Sequence, residues 1–588
     1  MAYDGMTMAA VTQELQCLVD ARIDKIYQPE QLTVLLHLRQ KDGARYRLLL
    51  SAEAMGARIH LTDYPYLNPA SPPMFCMLLR KYLEGGRILS VIQQRLERIL
   101  VFTVQSYNEL RELCERRLIC EVMGKHSNII LVNPDTGLII DGIKRYSHAV
   151  SRHREVLPGS PYLAPPPQNK KDPRLLSYEE LEQGLLEQLE KTVTKALVQL
   201  LEGVSPLLAG ELAWRAGLPE EAPVDSLGAY EFERIYSSLQ ELVAELEAGC
   251  PTPSLVREET GFTAFSAFKL SRFVPKTVHP SSVNETIDLY YQKEKEQRLF
   301  TGTKHRLTQV IKKELERCYK KAALQEDTLC LASEAEEYRI KGEILTANLF
   351  RIRPGDREVT LENFYDPNGN TLTIPLLPEL SPAENAQRYF RHYNKAKNAA
   401  QKAAMYHRET IEEIAYLEGI QHSLETADTR GELDEIEEEL VKQGYLKKPA
   451  TKEADKKSAS KPEPLAYLSS DGFSLLVGKN NRQNDYLTLK VAKDRDLWLH
   501  TKDIAGSHVI IKNPEGKPIP ERTLLEAAHL AAYFSKGRMS SKVPVDYTER
   551  KNVKKPAGAR PGMVIYENYQ TVYVTPDKEL IEKLVRKQ

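Results

Sequence analysis

Residues 121–133 read EVMGKHSNIILVN. Glu121, Lys125, His126, Ser127 and Asn128 supply hydrogen-bond donors and acceptors, and Gly124 would let a ligand approach the backbone. The same run also suits a polar hairpin turn. Upstream, Glu97 and Arg98 are adjacent in QRLERIL. On a strand they point to opposite faces, whereas at a bulge or strand end they can converge. Arg98 can fork onto a phosphate or a guanine edge. Glu97 can orient Arg98 or accept from a base amine or a ribose hydroxyl. The alternative is a surface ion pair worth about 0–1 kcal/mol. A third stretch, DGIKRYSHAVSRHREVLPG, gathers Lys144, Arg145, His148, Arg152, His153 and Arg154 around Tyr146. Cations interleaved with an aromatic suit a nucleic-acid backbone with a stackable base, or a solvated face.

The fourth stretch is basic and lies near the C-terminus. Residues 535–560 hold Lys536, Arg538, Lys542, Arg550, Lys551, Lys554, Lys555 and Arg560 against Asp546 and Glu549. The intervening Ser and Gly residues leave backbone amides accessible to phosphates. In DLWLHTKDIAGSH, strand alternation puts Leu497 and Leu499 on one face and Asp496, Trp498 and His500 on the other. An aromatic among polar groups suits stacking on RNA; the alternative is a sheet face covered by the nearby helix. No G-x-S-x-G, Walker A, H-E-x-x-H or Cys-His signature is present, so no catalytic residue, metal site or cofactor is expected. The seven cysteines are widely spaced without a C-x-x-C, which fits ordinary buried thiols better than zinc ligands or disulfides.

These stretches need a scaffold, and 588 residues are enough for several domains. A hydrophobic content of 41% with 28% charged residues marks a globular chain. No apolar run approaches a membrane span, and the N-terminus lacks signal-like character. A soluble cytoplasmic protein is expected. The net charge of -1 conceals an asymmetry of +3 over residues 1–180, -11 over 181–460 and +7 over 461–588. Such a split suggests a nucleic-acid partner for the basic part.

The expected fold class is multidomain α+β. Residues 1–172 form an α+β domain that begins with a helix over VTQELQCLVDARIDKIYQ, with Leu15, Leu18, Val19 and Ile23 on one side. Residues 173–282 are mostly helical, with a tight turn at Gly203 and a helix opened by Ser205-Pro206. Residues 283–445 form a long antiparallel coiled-coil arm of two polar helices, the second running from about 383 to 443 behind the cap SPAE. At about 1.5 Å per residue each helix would span roughly 80–90 Å. An insert at 339–381 caps the tip with a small β element turning at Asn368-Gly369. Residues 446–464 are a linker. Residues 465–588 form an α+β domain with strands at FSLLVG, DYLTLKV, DLWLHT and HVIIK, a helix at RTLLEAAHLAAYFSKG and a terminal hairpin at MVIYENYQTVYVTP.

EVMGKHSNIILVN, with DGIKRYS and LPGSPYLAPP, resembles the N-terminal domain of the NFACT family. DLWLHTKDIAGSHVII and the tail SK…VPVDYTERKNVKKPAGARPGMVIY resemble its C-terminal RNA-binding domain, so the likeness spans essentially the whole chain. It implies an N-terminal domain of glycosylase-like fold, followed by helix-hairpin-helix, coiled-coil arm and RNA-binding domain. The implied function is ribosome quality control within protein biosynthesis. The implied partners are the large ribosomal subunit (its rRNA and stalk-base proteins), the peptidyl-tRNA-bound nascent chain, alanine tRNA, and a small RNA-binding partner of the same pathway, with no membrane. The family recruits alanyl-tRNA to stalled, split large subunits and directs C-terminal alanine tailing, which marks the chain for proteolysis. Peptidyl transfer belongs to the subunit, so no enzyme is implied. The family's Asp-Arg pair falls on Glu97-Arg98, where one added methylene shifts the carboxylate by about 1.5 Å, enough to matter at a tight site. The next matched run falls on Glu121, Val122 and Met123. The resemblance thus implies tRNA contacts at Glu97, Arg98, Glu121, Val122, Met123, Lys125, His126, Asn128, Lys144 and Arg145. RNA contacts are implied at Asp496, Trp498, His500, Lys536, Arg538, Lys542, Arg550, Lys551 and Lys554. Two rivals are a fibronectin-binding surface adhesin and a general RNA-binding scaffold. A third, glycosylase chemistry, needs a proline amine at position 2, and this chain has Ala2.

Overall fold

The computed structural model describes residues 3–108, 110–147, 154–258, 261–333, 335–367, 369–447 and 463–587. The chain divides into two compact units, Met1–Arg298 and Leu299–Gln588. Among the described residues no helix is long and apolar enough to cross a membrane.

The first unit opens with α1 (Gly5–Glu14), capped by Asp4, whose carboxylate accepts the Thr7 amide at 2.8 Å. Nine strands follow: β1 (Arg22–Glu30), β2 (Thr33–Arg39), β3 (Arg45–Ser51), β4 (Arg58–Leu61), β5 (Arg87–Gln93), β6 (Ile99–Tyr107), β7 (Leu113–Glu121), β8 (Asn128–Val132) and β9 (Ile139–Gly142). They form one sheet in the order β4-β3-β2-β1-β5-β6-β7-β8-β9. Two antiparallel meanders thus meet where β1 lies beside β5, with Arg22 opposite Arg87. Between them in sequence, α2 (Met74–Leu83) buries Phe75, Cys76, Leu79 and Leu83.

The helix expected over residues 11–28 ends early. Asp20 adopts φ 69°, which a right-handed helix cannot continue through, and β1 begins at Arg22. Ile23 and Ile26 are both buried despite their helix-like spacing of three, because a bulge between Ile23 and Lys25 shifts the strand register.

Helices α3 (Tyr178–Leu186), α4 (Val193–Leu200), α5 (Pro206–Arg215) and α6 (Ala229–Glu247) share one apolar core with the sheet. A small sheet then interrupts the expected helical region. Its strands β10 (Ser254–Glu258), β11 (Gly261–Ser266) and β12 (Thr277–Val278) are ordered β11-β10-β12.

The 51-residue helix α7 (Val283–Ser333) continues into the second unit. There its Leu307, Ile311, Leu315 and Cys318 pack against Ile414, Leu417, Ile420 and Leu424. Farther on, Ile344 and Leu345 of α8 (Ala335–Ala347) share a core with Leu361 of β13 (Glu358–Glu362), Ile374 of β14 (Thr371–Pro375), and Ala386 and Tyr389. Residues 386–424 all belong to the 45-residue α9 (Pro382–Thr426), so it runs antiparallel to α7 and α8, which fits a coiled-coil arm. Asn368, at the expected tip turn, lies outside the described residues.

The second long helix does not reach residue 443. It stops at Thr426, and Thr429 opens a new helix, α10 (Arg430–Lys442), through a reciprocal cap with Glu432. This break lets Leu433, Ile436 and Leu440 enter the core formed by α7 and α9.

The C-terminal sheet comprises β15 (Leu465–Leu468), β16 (Ser474–Val477), β17 (Leu497–Thr501), β18 (Val509–Ile511), β19 (Val543–Glu549) and two later strands. The short strands β20 (Val553–Lys554) and β21 (Ile565–Tyr566) pair separately, and β22 (Gln570–Val574) and β23 (Val585–Lys587) complete the main sheet as β22-β19-β17-β18-β16-β15-β23. Two expectations are corrected. DYLTLKV is not a strand: α11 (Asn481–Tyr486), capped by Asn480, runs into one π-helical turn over Leu487–Val491. Nor do β21 and β22 form a hairpin, since β21 pairs with β20 and β22 with β19. Helix α12 (Glu521–Tyr533) covers one face of the sheet, and α13 (Lys578–Lys583) packs beside it.

Candidate functional site

Glu97 and Arg98 lie in the turn between β5 and β6, and this turn is held from several sides. The Glu97 amide donates to Gln94 O at 3.0 Å. Gln93 Nε2 donates to Glu97 O at 2.8 Å and to Gly5 O at 3.0 Å. Leu96, buried at the tip, donates its amide to Glu202 Oε1 at 3.2 Å, and Arg95 pairs with the same carboxylate at 2.8 Å. On the far side, Val122 N donates to Arg98 O at 2.9 Å.

The α4–α5 connection closes against this turn. Gly203 adopts φ +77° and accepts the Met6 amide at 3.1 Å. A Cβ on Gly5 would sit 2.6 Å from the Gly203 Cα and 1.9 Å from Leu96 O, so glycine is required at position 5 for this backbone contact. Asp4 ties both helices together: besides capping α1 it accepts the amide of Ser205, the α5 cap, at 3.3 Å.

The result is a cavity of about 310 Å³ whose walls include Asp4, Glu97, Arg98, Met123, Lys170, Glu202 and Ser205. Burial pushes the Asp4 carboxyl up, against hydrogen bonds from Ser205 and Thr7. Burial also pushes the Arg98 guanidinium down, opposed by the nearby charges of Asp4 and Glu97. Lys170 is pushed down by burial and by the Arg98 charge. The side chains adjacent in sequence therefore converge on one concave, charged site. Such a site can grip an anionic or hydrogen-bonding group of a ligand. Asp4, Lys170, Glu202 and Ser205 were not anticipated from the sequence. Only the Ser205-Pro206 cap carried a local signal there.

Most of the 121–128 run does something else. Glu121 is buried, and its carboxylate accepts from Arg154 Nη1 at 2.7 Å, from Arg154 Nη2, and from Tyr162 Oη at 3.0 Å. Val122 is buried too. Asn128 Nδ2 donates to Lys144 O at 2.9 Å, while its Oδ1 accepts the Lys144 and Ile129 amides at 3.0 and 2.9 Å. Ser127 Oγ accepts the Met123 amide at 2.7 Å, closing a tight turn over Gly124–His126. The structure thus turns the side chains of Glu121, Val122 and Asn128 inward, because each has internal partners that a ligand would have to displace. Met123 alone of this run lines the cavity; Lys125 and His126 are exposed outside it. Lys144 Nζ donates to Ala52 O at 2.6 Å, and Arg145 forks onto Asp141 at 2.7 and 2.6 Å. His148, Arg152 and His153 lie outside the described residues.

The C-terminal aromatic face is likewise enclosed. Trp498 is fully buried in a cluster with Leu487, Ile510 and Val553, and the Tyr566 ring lies 4.8 Å away. The face that carries it is covered by the π-helical turn after α11 and by the β20–β21 pair, so stacking on an exposed Trp498 is corrected. Asp496 is buried, accepting the Lys493 and Asn513 amides at 2.8 Å each and pairing with Lys512. His500 stacks on Trp498 at 5.8 Å, and burial pushes its imidazole down to about 4.

The basic stretch divides. Arg550 Nε donates to Thr488 O at 2.5 Å, Lys536 pairs with Glu418 at 3.3 Å, and Lys551 pairs with Glu549. Lys542 and Lys554 are exposed, and exposed Arg538 stacks its guanidinium on Tyr533 at 3.9 Å. The acidic helix α10 and Asp428 just before it meet other cations: Lys479 pairs with Asp428 and Glu432 at 3.0 and 2.9 Å, and Arg482 with Glu438 at 2.8 Å. Part of the sequence's charge asymmetry is therefore cancelled within this unit. Among the described residues no group of three or more His, Cys, Asp or Glu could hold a metal ion.

Comparisons with known proteins cover the whole chain. The family model of the NFACT N-terminal and middle domains matches residues 4–459, and that of the NFACT protein RNA binding domain matches residues 464–568. The Rqc2 homolog RqcH of Bacillus subtilis is 40% identical over 585 residues, covering 99% of this chain and 100% of that protein. Its Streptococcus suis counterpart is 36% identical over 586 residues, with coverage of 99% and 100%. A solved structure, the fibrinogen binding protein from Staphylococcus aureus, is 33% identical with a TM-score of 0.42, covering 50% of this chain and 99% of that one.

Proposed function

The chain belongs to the NFACT family, homologous to the RqcH ribosome quality control factors, and on that premise we propose that it acts on stalled, split large ribosomal subunits carrying peptidyl-tRNA. In this reading it recruits alanyl-tRNA and directs alanine tailing of the nascent chain, while the subunit performs the peptidyl transfer. The arm and the exposed cations of the C-terminal domain supply subunit contacts, and the Glu97–Arg98 cavity handles tRNA.

The observation that carries the reading is the convergence of Glu97, Arg98 and Met123 on one cavity. Arg98 keeps its charge at any working pH and can grip two acceptors of one phosphate or guanine. Glu97 shares the cavity, so its longer side chain either orients Arg98 or meets the ligand directly. Glu121, Val122 and Asn128 act indirectly: they anchor the turn on which Met123 stands.

The test is co-sedimentation of the purified chain with ribosomal subunits across a salt series. Binding to large subunits that weakens with rising salt is expected, because phosphate contacts release counterions. Equal binding to large and small subunits would overturn the proposal.

A further inference from the structure

Its covering elements remove Trp498 as an open platform, but Trp498 and His500 still wall a second cavity, of about 420 Å³, which belongs entirely to the second unit. That volume is in the range of small-molecule sites, about 300–1,000 Å³. Aromatic rings of Trp498, His500 and Tyr566 line it, with apolar side chains of Ile504, Ala505 and Val564. Its walls hold no lysine or arginine, and their two carboxylates belong to Glu418 and Asp503. His500 and His508 add no charge near neutral pH, because burial pushes His500 down to about 4 and His508 well below its usual value. A phosphate group would therefore find no counter-charge in this cavity.

Several polar groups of the walls are engaged with protein. Asn484 Oδ1 accepts the His508 amide at 3.0 Å, His508 Nδ1 shares a hydrogen bond with Thr488 Oγ1 at 2.7 Å, and Tyr566 Oη donates to Asp546 at 2.8 Å. The Trp498 N–H is different: it is buried and finds no acceptor among the described residues. A buried indole N–H ordinarily has a partner, and leaving one unsatisfied is costly. The Asp503–Gly506 turn, which forms another wall, is held in place. Asp503 adopts φ 53°, Thr501 Oγ1 donates to Ile504 O at 3.0 Å, and Lys536 N donates to Ala505 O at 2.9 Å. A Cβ on Gly506 would lie 2.8 Å from the Ser535 Cβ, so the turn is seated tightly against the segment after α12.

A buried donor without an acceptor, flat aromatic walls, carboxylate oxygens and no cation together suit a neutral planar ring that carries both an acceptor and an amino group. We propose that this cavity is a nucleobase pocket. It takes one base swung out of a single-stranded RNA, whose ring nitrogen accepts from Trp498 Nε1 and whose exocyclic amino group donates to Asp503. The proposal rests on the reading of this domain as an RNA-contacting one and adds a site and a base preference to it. Extruded bases are held in this manner, stacked on aromatic side chains and read on their edges. Adenine and cytosine carry an amino group beside a ring-nitrogen acceptor, whereas uracil has no amino group. Met563 also lines the cavity, and its unbranched side chain can move to admit the ring. The phosphates stay outside, where Lys502, next to Asp503 in the chain, is partly exposed.

The chain has two tryptophans, so Trp214→Phe leaves Trp498 as the sole indole reporter. The full-length Trp214→Phe protein is titrated with oligo(A), oligo(C), oligo(U) and an abasic oligonucleotide of the same length, reading Trp498 emission and, in parallel, the anisotropy of the labelled strand. Oligo(A) and oligo(C) should change the emission saturably and bind more tightly than oligo(U), and the abasic strand should leave the emission unaltered. Asp503→Asn, an exchange that a left-handed turn accepts, should reduce the preference for oligo(A) over oligo(U) by about 2–10-fold, the size of one hydrogen bond. Ala505→Leu should fill the cavity and abolish the emission change while the urea midpoint is kept. Strand binding without an emission change, an abasic strand as effective as oligo(A), or a wild-type response in both variants would overturn the pocket and leave RNA binding standing. An emission change from N-acetyl-arginine amide and none from any oligonucleotide would overturn it in favour of a cationic peptide. No oligonucleotide binding at all would overturn both the pocket and the RNA-contacting reading of the domain.

Discussion

The Glu97–Arg98 turn and the Asp496–Trp498–His500 strand look alike as sequence: each sets charged or aromatic side chains beside an apolar run. They fold to opposite ends. The turn stays open as the wall of a cavity lined also by Asp4, Lys170 and Glu202. The strand is enclosed, with Asp496 tied to Lys512 and Trp498 fully buried. The difference lies in what distant segments bring. Glu202 and Asp4 join the turn in walling a cavity, whereas the turn after α11 and the β20–β21 pair cover the strand. Polar types mark a capacity for contact; the covering elements decide whether it faces a ligand or the interior.

The largest effect should come from the inward-facing part of the N-terminal run. Glu121→Ala strands the buried Arg154 guanidinium and should destabilise the chain by about 3–5 kcal/mol, read by urea denaturation. Wild-type stability would mean that the run is not an anchor and that the contrast with the cavity is false.

A buried histidine supplies a second probe. Burial holds His60 down at about 4, beside Asp288. Its folded value lies below its unfolded one, so the unfolded chain binds the extra proton between about pH 6.5 and 4. Stability is therefore present above about 6.5 and is lost as pH falls through that window, by about 3 kcal/mol from this group. His60→Gln should flatten the pH dependence of the melting temperature in that range. An unaltered profile would count against it.

In the second unit, the contact between α10 and the segment around α11 can be loosened directly. Glu435 accepts from Asn480 Nδ2 at 2.7 Å and Gln483 Nε2 at 3.0 Å. Glu435→Ala leaves both amides without this acceptor and should cost about 1–3 kcal/mol, visible as faster hydrogen exchange through residues 480–491. Unchanged exchange would mean that these bonds do not hold the segment. The smallest effect belongs to Lys551→Ala, because an exposed pair with Glu549 contributes little: thermal stability should move by less than about 0.5 kcal/mol. A larger loss would place Lys551 among the structural cations.

Much of the scaffold was legible because local chemistry and tertiary role agree. Ser205-Pro206 reads as a helix start and is one; the polar length from 283 to about 338 reads as a long helix, and helix is found over Val283–Ser333 and again over Ala335–Ala347, beyond the expected end. The errors have physical causes. The bulge at Ile23–Lys25 gave a strand helical spacing. Leu487 and Leu489 alternate like a strand, but the Asn480 cap and the burial of Leu487 beneath Trp498 draw the segment into helix. The break at Thr429 was present as a T-x-x-E capping signal inside a long polar pattern. At the site, adjacency made Glu97 and Arg98 conspicuous, whereas Asp4, Lys170 and Glu202 reach it through tertiary contacts that no local pattern encodes.

The central claim, that the Glu97–Arg98 cavity handles tRNA for the ribosome-bound protein, is tested most directly by sequencing and counting the tRNA that co-purifies with the chain on large subunits. Wild type should carry tRNA enriched in alanine acceptors. Arg98→Ala should reduce the tRNA recovered per subunit, by about 1–3 kcal/mol of binding if the contact is bidentate, while the chain itself still binds the subunit. A folded Arg98→Ala protein with wild-type tRNA occupancy, or a wild-type tRNA pool no different from that of the cell, would contradict the account.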